Sequence, residues 1–331
     1  MKTLLLTGAT GFLGSHMLVQ EAKLGTRILA SVRDVDKLRR LIAAEGISKA
    51  DIVPLNSAPS SWGDINPTHA LLSAGVLFAR DQEAYHSVNV DWTLKVLAAL
   101  PRECRTVVLS SQAAGGPTPT GIAARREVDA DAPITLYGKS KLELERIIRS
   151  SHSNRPITIL RPPMILGARD SATLPLFKMA AGLMRAKPGL RKKEYSFIAA
   201  EDVIEAVRAS WEAGLMGPFY IASEHTITDI ELIRAAAMVG RSQGVTVPLP
   251  HMLVKCLSHF VDAIPHLRAS VPSLTRDRAV DIWADRWVVD SCLFREKTRW
   301  TSTRSLQESL QSAYDFNVDA GLLKKARKFR S

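Results

Sequence analysis

Three glycines in the order Gly8-x-x-Gly11-x-x-Gly14, directly after the apolar run Leu4-Leu5-Leu6, constrain this chain more than any other feature. The apolar run reads as a buried strand, and residues 12–22 continue at helical periodicity. Glycine between them permits a tight turn that leaves backbone N–H groups and a helix N-terminus facing one point without side-chain obstruction. A strand–turn–helix unit of this kind accepts a pyrophosphate. It marks Thr7, Gly8, Gly11, Phe12, Leu13 and Gly14 as candidate dinucleotide-cradle residues. The spacing differs from Gly-x-Gly-x-x-Gly, so packing of the helix on the strand is the competing reading. A first strand that opens at residue 3 leaves no room for a targeting peptide.

The 331 residues suffice for one large core or two smaller ones, and 46% apolar with 23% charged residues suits a globular protein. No run of eighteen apolar residues predicts a spanning helix. Cys104, Cys256 and Cys292 lie far apart and form no Cys-x-x-Cys, which fits reduced, cytoplasmic usage. The eight histidines have no ligand spacing, so no metal is expected. A net charge of +11 admits an anionic surface or cofactor as partner. Its cations are spread along the chain, apart from the run 324–330, which reads as a solvated end. No nucleic-acid motif accompanies them, and no nucleic-acid partner is expected.

Apolar runs at 3–7, 26–32, 51–55, 70–72, 106–110 and 158–160 read as strands. Amphipathic segments at 11–24, 36–45, 83–100 and 136–150 read as the helices between them. This alternation predicts an α/β fold with a doubly wound parallel sheet, ligands sitting at the carboxyl ends of its strands. Past Pro162, helices expected at 174–185, 201–213 and 229–239 alternate with short extended pieces at 218–222 and 245–249. Residues 1–165 therefore form the dinucleotide-binding core. Residues 166–331 form mostly a smaller, interleaved C-terminal substrate subdomain, with some segments returning to the core. Residues 57–67 are an irregular connection.

Tyr137-Gly138-Lys139-Ser140-Lys141 sets a phenol and an ammonium four residues apart, on one face of the expected helix. A nearby ammonium favours the phenolate, which lets such a pair exchange a proton with an alcohol or carbonyl. The strand at 106–109 delivers Ser110-Ser111-Gln112 at its carboxyl end, where a hydroxyl can donate to a substrate oxygen. Ser111 is preferred over Ser110.

The glycine turn, the strand-end serines and Tyr-x-x-x-Lys, in this order, resemble the extended branch of the short-chain dehydrogenase/reductase superfamily, its epimerase/dehydratase-like members included. The resemblance runs through most of the chain: Val88-Asn89-Val90, Ser73-Ala74-Gly75, Leu160-Arg161-Pro162-Pro163, the segment 197–203, and Arg299-Trp300 followed by an amphipathic 306–314. It implies a Rossmann fold and hydride transfer. Tyr137 would be the acid/base, Lys141 would lower its pKa and hold the ribose hydroxyls, and Ser111 would orient the substrate oxygen. Asn89 would support a proton-relay water or a backbone kink. Ser73, Ala74 and Gly75 would lie against the cofactor, and the Arg161-Pro162-Pro163 segment would close over its nicotinamide. Gln112 stands where many relatives have a third hydroxyl or an acid, and no Asp-Glu pair follows the serines, which argues against sugar dehydration.

An acid at the end of the second strand would accept from a ribose 2′-OH, whereas an arginine accommodates a 2′-phosphate. Val32 occupies the first of these places, Arg33 follows, and Asp34 comes late enough to cap the next helix. Arg33, with Lys37, favours NADP(H), with NAD(H) as the other candidate. Asn56 stands where relatives often carry an Asp against adenine. The leading functional expectation is an oxidoreductase acting on a ketone or secondary alcohol, with an apolar small molecule as one candidate substrate. The alternatives are a nucleotide-sugar epimerase and a non-catalytic dinucleotide-binding regulator. An apolar stripe at 248–264 (Leu249, Met252, Leu253, Leu257, Phe260 and Val261), with Trp283 and Trp287, reads as core, as an oligomer contact of a monomer-or-homodimer protein, or as an apolar entrance near a membrane surface.

Overall fold

Leu4, Leu5 and Leu6 are wholly buried in β1 (Thr3–Thr7), Leu4 and Leu6 turned to one face of a sheet and Leu5 to the other. Burial on both faces explains the unbroken apolar run. The computed structural model describes residues 2–250 and 283–324, with single positions 256, 259, 261, 264, 280 and 281. Of the stripe at 248–264, Met252, Leu253, Leu257 and Phe260 lie outside the described residues, as does the basic run beyond Lys324.

The chain continues through α1 (Phe12–Lys23), β2 (Arg27–Ser31), α2 (Val35–Ala44), β3 (Ile52–Leu55), β4 (His69–Leu72), α3 (Gln82–Tyr85), a π-helical turn (His86–Trp92) and α4 (Thr93–Ala99). It goes on through β5 (Arg105–Leu109), α5 (Gln112–Gly115), α6 (Leu136–Ser151), β6 (Ile157–Arg161), β7 (Met164–Leu166), α7 (Leu174–Ala180), β8 (Met184–Pro188) and β9 (Glu194–Ala199). Then come α8 (Ala200–Ala213), β10 (Gly217–Tyr220), β11 (Thr226–Thr228), α9 (Asp229–Val239), β12 (Val245–Leu249), β13 (Arg286–Trp287), α10 (Cys292–Thr298) and α11 (Leu306–Asp319).

Seven parallel strands form one sheet in the order β10-β6-β5-β4-β1-β2-β3. This is the Rossmann-like, doubly wound α/β fold expected from the alternation. Strand order reverses between β1 and β4, so their carboxyl ends flank the crevice where such sheets bind ligands. On one face α1 and α8 bury Leu18, Val203, Val207 and Trp211 against Leu4, Leu6 and Val107. On the other, α4 and α6 bury Val96, Leu97, Leu144 and Ile148 against Leu5, Ala70 and Ile159. Thus α8 and β10, although late in the chain, belong to the main sheet's layers. A smaller part pairs β7, β11 and β13 with β9, and β8 with β12.

Two expected helices differ. The segment at 174–185 ends its helix at Ala180 and becomes strand β8 from Met184, because β12 offers it a parallel partner. The segment at 83–100 is broken by the π-helical turn at His86–Trp92.

Candidate active site

The turn after β1 is built by close backbone approach. Gly8 has φ +68°, and its carbonyl accepts the Gly11 N–H at 2.8 Å. A Cβ on Gly14 would lie 2.0 Å from the Gly8 oxygen, so α1 can begin this near the turn only with glycine there. Gly11 is the N-cap of α1 and provides no capping side chain, and the first turn carries no acid. The N-terminal amides are left to an outside anion, and the cradle is one a Cβ would fill, so these residues fit a dinucleotide pyrophosphate. Phe12 stacks edge-on against His16, and Leu13 packs against the core.

Across the switch point, Thr7 Oγ1 accepts the N–H groups of Ser73 at 3.1 Å and Ala74 at 3.2 Å, and Ser73 Oγ donates to Thr7 O at 2.6 Å. Thr7 Oγ1 as acceptor and Ser73 Oγ as donor thus tie the two strand ends together at the edge of the crevice. A Cβ on Gly75 would sit 3.1 Å from Asn89 Oδ1 and 3.4 Å from Lys141 Nζ, which brings all three to one corner.

Asn89 lies buried on the π-helical turn, a rare geometry that recurs at functional sites. Its Oδ1 accepts the Val76 N–H at 2.9 Å, and its Nδ2 donates to Val76 O at 3.2 Å and Ser140 Oγ at 3.0 Å. Both its N–H groups are thus spent on the protein. Asn89 clamps the loop after β4 to α6.

Tyr137 stands in the first turn of α6, capped by Thr135, whose Oγ1 accepts the Gly138 N–H at 3.1 Å. A Cβ on Gly138 would lie 2.3 Å from Ala113 O, so glycine lets α6 press its first turn onto α5. That contact brings Tyr137 to the carboxyl end of β5, with the Tyr85 ring centroid 6.2 Å from its own. Lys141 is buried, and its Nζ donates to Leu109 O at 2.9 Å and stands 5.9 Å from the centre of the Tyr137 ring. Burial pulls the Lys141 ammonium down to about 8, with Glu145 opposing the shift.

The two serines part company. Ser110 donates to buried Glu145, whereas half-buried Ser111 caps α5, its Oγ accepting the Ala113 N–H at 3.1 Å. That leaves the Ser111 O–H to donate elsewhere. Gln112 N–H donates to Pro162 O at 2.9 Å, tying Pro162 and Pro163 to the same strand ends.

Arg161, at the end of β6, makes its contacts within the protein. It is buried beneath the site, where Nε donates to Glu145 at 3.0 Å, and Nη1 to Asp131 at 2.8 Å and to the Tyr220 hydroxyl at 3.1 Å. Sequence reasoning missed this Ser110–Glu145–Arg161–Asp131–Tyr220 network. Glu145, one helical turn beyond Lys141 on an otherwise buried face, was its available signal.

Beyond β2, Val32 is buried and Arg33 exposed, while Asp34 caps α2 by accepting the Lys37 N–H at 2.8 Å. The Asn56 side-chain oxygen accepts from Ala58 N–H at 2.9 Å and Ser61 Oγ at 2.8 Å. Trp283 packs on Gly189 and Trp287 donates its indole N–H to Asp281 O at 3.0 Å, both as structural contacts. Among the described residues no cluster of His, Cys, Asp or Glu could hold a metal ion, and no helix is long and apolar enough to cross a membrane.

The chain is 25% identical over 296 residues to the ceramide reductase of Caulobacter vibrioides, covering 88% of this chain and 87% of that one. Its fold is similar to the UDP-glucose 4-epimerase of Thermotoga maritima, solved with UDP-glucose (TM-score 0.74, 16% identity, 96% and 99% of the two chains). It is also similar to the UDP-glucuronic acid 4-epimerase of Bacillus cereus, solved with UDP-glucuronic acid and NAD (TM-score 0.72, 16% identity, 96% and 99%). The model of the NAD dependent epimerase/dehydratase family matches residues 4–218, from the first strand to β10. With the glycine cradle and the tyrosine–lysine pair standing on the strand ends where that match runs, the chain belongs to the NAD dependent epimerase/dehydratase family.

Proposed function

We propose that the protein is an enzyme that moves a hydride between a bound nicotinamide dinucleotide and the carbinol or carbonyl carbon of a small molecule. Tyr137 is its acid/base. The observation that carries this reading is the buried Lys141 ammonium, 5.9 Å from the Tyr137 ring and fixed on Leu109 O. A cation held dry beside a phenol stabilises the phenolate and so eases proton exchange with an alcohol. Thr7, Gly8, Gly11, Phe12, Leu13, Gly14, Ser73, Ala74 and Gly75 would hold the dinucleotide at the pyrophosphate and crevice, with Pro162 and Pro163 at its nicotinamide end. The cofactor, when bound, supplies or accepts the hydride. In the oxidation direction the substrate hydroxyl gives its proton to the Tyr137 oxygen as the carbinol C–H leaves as hydride; reduction reverses both transfers. Ser111 donates to the substrate oxygen, which resists the charge that develops there.

Of the two net reactions, epimerisation of a nucleotide sugar has the wider support: the family, and two solved proteins of the same fold with UDP-sugars bound. Oxidation and re-reduction of one sugar carbon at Tyr137 leaves the dinucleotide unchanged overall. Net reduction of an apolar ketone is the second reading, favoured by the likeness to a ceramide reductase. Arg33, exposed at the end of β2 where Asp34 is spent on a cap, supports NADP(H) over NAD(H) for that reaction.

The test incubates the protein with UDP-glucose or UDP-glucuronic acid plus NAD, and separately with long-chain ketones plus NADPH or NADH. A new C4 epimer without net cofactor change supports the first reading, and stoichiometric loss of reduced cofactor the second. Tight dinucleotide binding with neither reaction would contradict both and leave the non-catalytic regulator.

A further inference from the structure

The small β8–β12 sheet is inside out. Along β8, Met184 is 71% exposed while Arg185 and Lys187 are buried. Arg185 donates to Ala180 O at 3.1 Å and Ser242 O at 2.8 Å; Lys187 donates to Gly189 O at 3.0 Å and pairs with Asp229 at 2.9 Å. The strand has buried its cations on carbonyls and a carboxylate and turned its methionine to solvent.

Leu183, 80% exposed, precedes Met184, and Val245, 68% exposed, lies directly across from it in β12. The Val245 N–H donates to Leu183 O at 2.9 Å, which fixes the three side chains as one projecting tip. Met238, also 68% exposed, lies in the last turn of α9, seven residues before Val245.

The charge around this tip is of one sign. Residues 171–193 contain Lys178, Arg185, Lys187, Arg191, Lys192 and Lys193 and no Asp or Glu, and residues 232–250 contain Arg234 and Arg241 and no Asp or Glu. Lys178, five residues before Leu183, and Arg241, four before Val245, are exposed, and neither has an ion pair among the described residues. The acids that neutralise Arg191 and Lys192, Asp285 and Glu194, lie at the opposite end of β8.

From this we infer that the tip of the β8–β12 sheet docks on an anionic lipid surface. Leu183, Met184 and Val245 enter the acyl boundary, and Lys178 and Arg241 sit among anionic headgroups. An exposed apolar cluster is uncommon on a monomer and marks a contact surface. A second copy of the chain is the poorer occupant, because a two-fold contact would bring like cations together. Nucleic acid is poorer still, since nothing in its backbone rewards the exposed leucine, methionine and valine.

Cosedimentation with phosphatidylcholine vesicles, and with vesicles that also contain phosphatidylglycerol, tests this. The intact protein should bind the anionic vesicles, bind the neutral ones far less, and release as salt rises. The Leu183→Ser/Met184→Ser variant should bind about tenfold more weakly, and Lys178→Gln or Arg241→Gln about fivefold more weakly each. All four side chains are exposed, and unchanged melting temperatures will verify the fold; if the serine variant unfolds, the two charge variants carry the test. Equal binding to both vesicle types, or binding unaffected by these substitutions, would overturn the proposal. So would a dimer that the serine variant converts to monomer with vesicle binding unchanged, which would make the tip a protein interface.

Discussion

The α5–α6 contact at Gly138 gives a prediction that can be worked from the backbone. In Gly138→Ala the new Cβ would lie 2.3 Å from Ala113 O and 3.0 Å from Ala113 C, with the Pro133 side chain at 3.2 Å. Two of these three atoms are backbone and cannot swing aside. Carbon contacts become comfortable near about 3.5 Å, so the first turn of α6 must back away from α5 by about 1 Å. The stability terms nearly offset. Alanine in a helix gains about 1 kcal/mol over glycine, and overpacking costs about 1–3 kcal/mol. Function is different, since the displaced turn carries Tyr137, and a misplacement of about 1 Å can cost about 100-fold in rate. The expected result is a turnover loss of about 100-fold, a melting temperature lowered by only a few degrees, and cofactor affinity reduced less than about tenfold, because the cradle lies on other elements. Steady-state kinetics with the converted substrate, thermal melts and cofactor fluorescence titration measure the three. Turnover within about threefold of wild type in a folded variant would refute the claim that this contact positions the phenol.

Other outcomes follow from single residues. Arg33→Ala should weaken NADPH binding at least about tenfold and NADH binding little, as removal of a phosphate partner requires; equal losses would remove the basis for NADP(H). The Lys141 ammonium, drawn down to about 8 by burial, is present below that pH and lost above it, so turnover that depends on it should decline as pH rises through about 8. A rate that stays level to pH 10 or so would separate Lys141 from the chemistry. Burial raises Asp170 to about 6 from 3.8, with the Ala172 N–H and Thr173 opposing the shift. A raised carboxyl contributes stability in full below its unfolded value, and this is lost as pH rises through the folded one. Asp170→Asn keeps an acceptor for the Ala172 N–H, so it should stabilise the fold by about 1–3 kcal/mol at pH 8 and not at pH 4; identical shifts in thermal melts at the two pH values would contradict this.

What the sequence disclosed depended on how local each signal was. β1 and α9 match the expected bounds, the first through its leucines and the second through the Thr228–Glu231 capping box, whose reciprocal hydrogen bonds form within four residues. β8 was misread as helix because Leu183, Met184 and Ala186 are apolar at either period, and its partner β12 lies some sixty residues on. The π-helical turn was hidden for the same reason: Asn89 earns its geometry from Val76 and Ser140, not from its neighbours. The candidate residues of the crevice were legible as residue types, their division of labour less so. Strand alternation sends Ser110 inward to Glu145 and leaves Ser111 at the cap, and Arg161 turns down onto buried Glu145 and half-buried Asp131, a pair that only the fold assembles.

The central claim is that the Tyr137 phenol carries the proton, and Tyr137→Phe tests it most directly. The variant loses one hydroxyl and keeps the ring against Tyr85, so its melting temperature and dinucleotide affinity should match wild type. With whichever substrate class the protein converts, turnover should fall by about 10²–10⁴-fold, the range a positioned acid/base contributes. A folded, cofactor-binding Tyr137→Phe protein that turns over within a few-fold of wild type would contradict the mechanism.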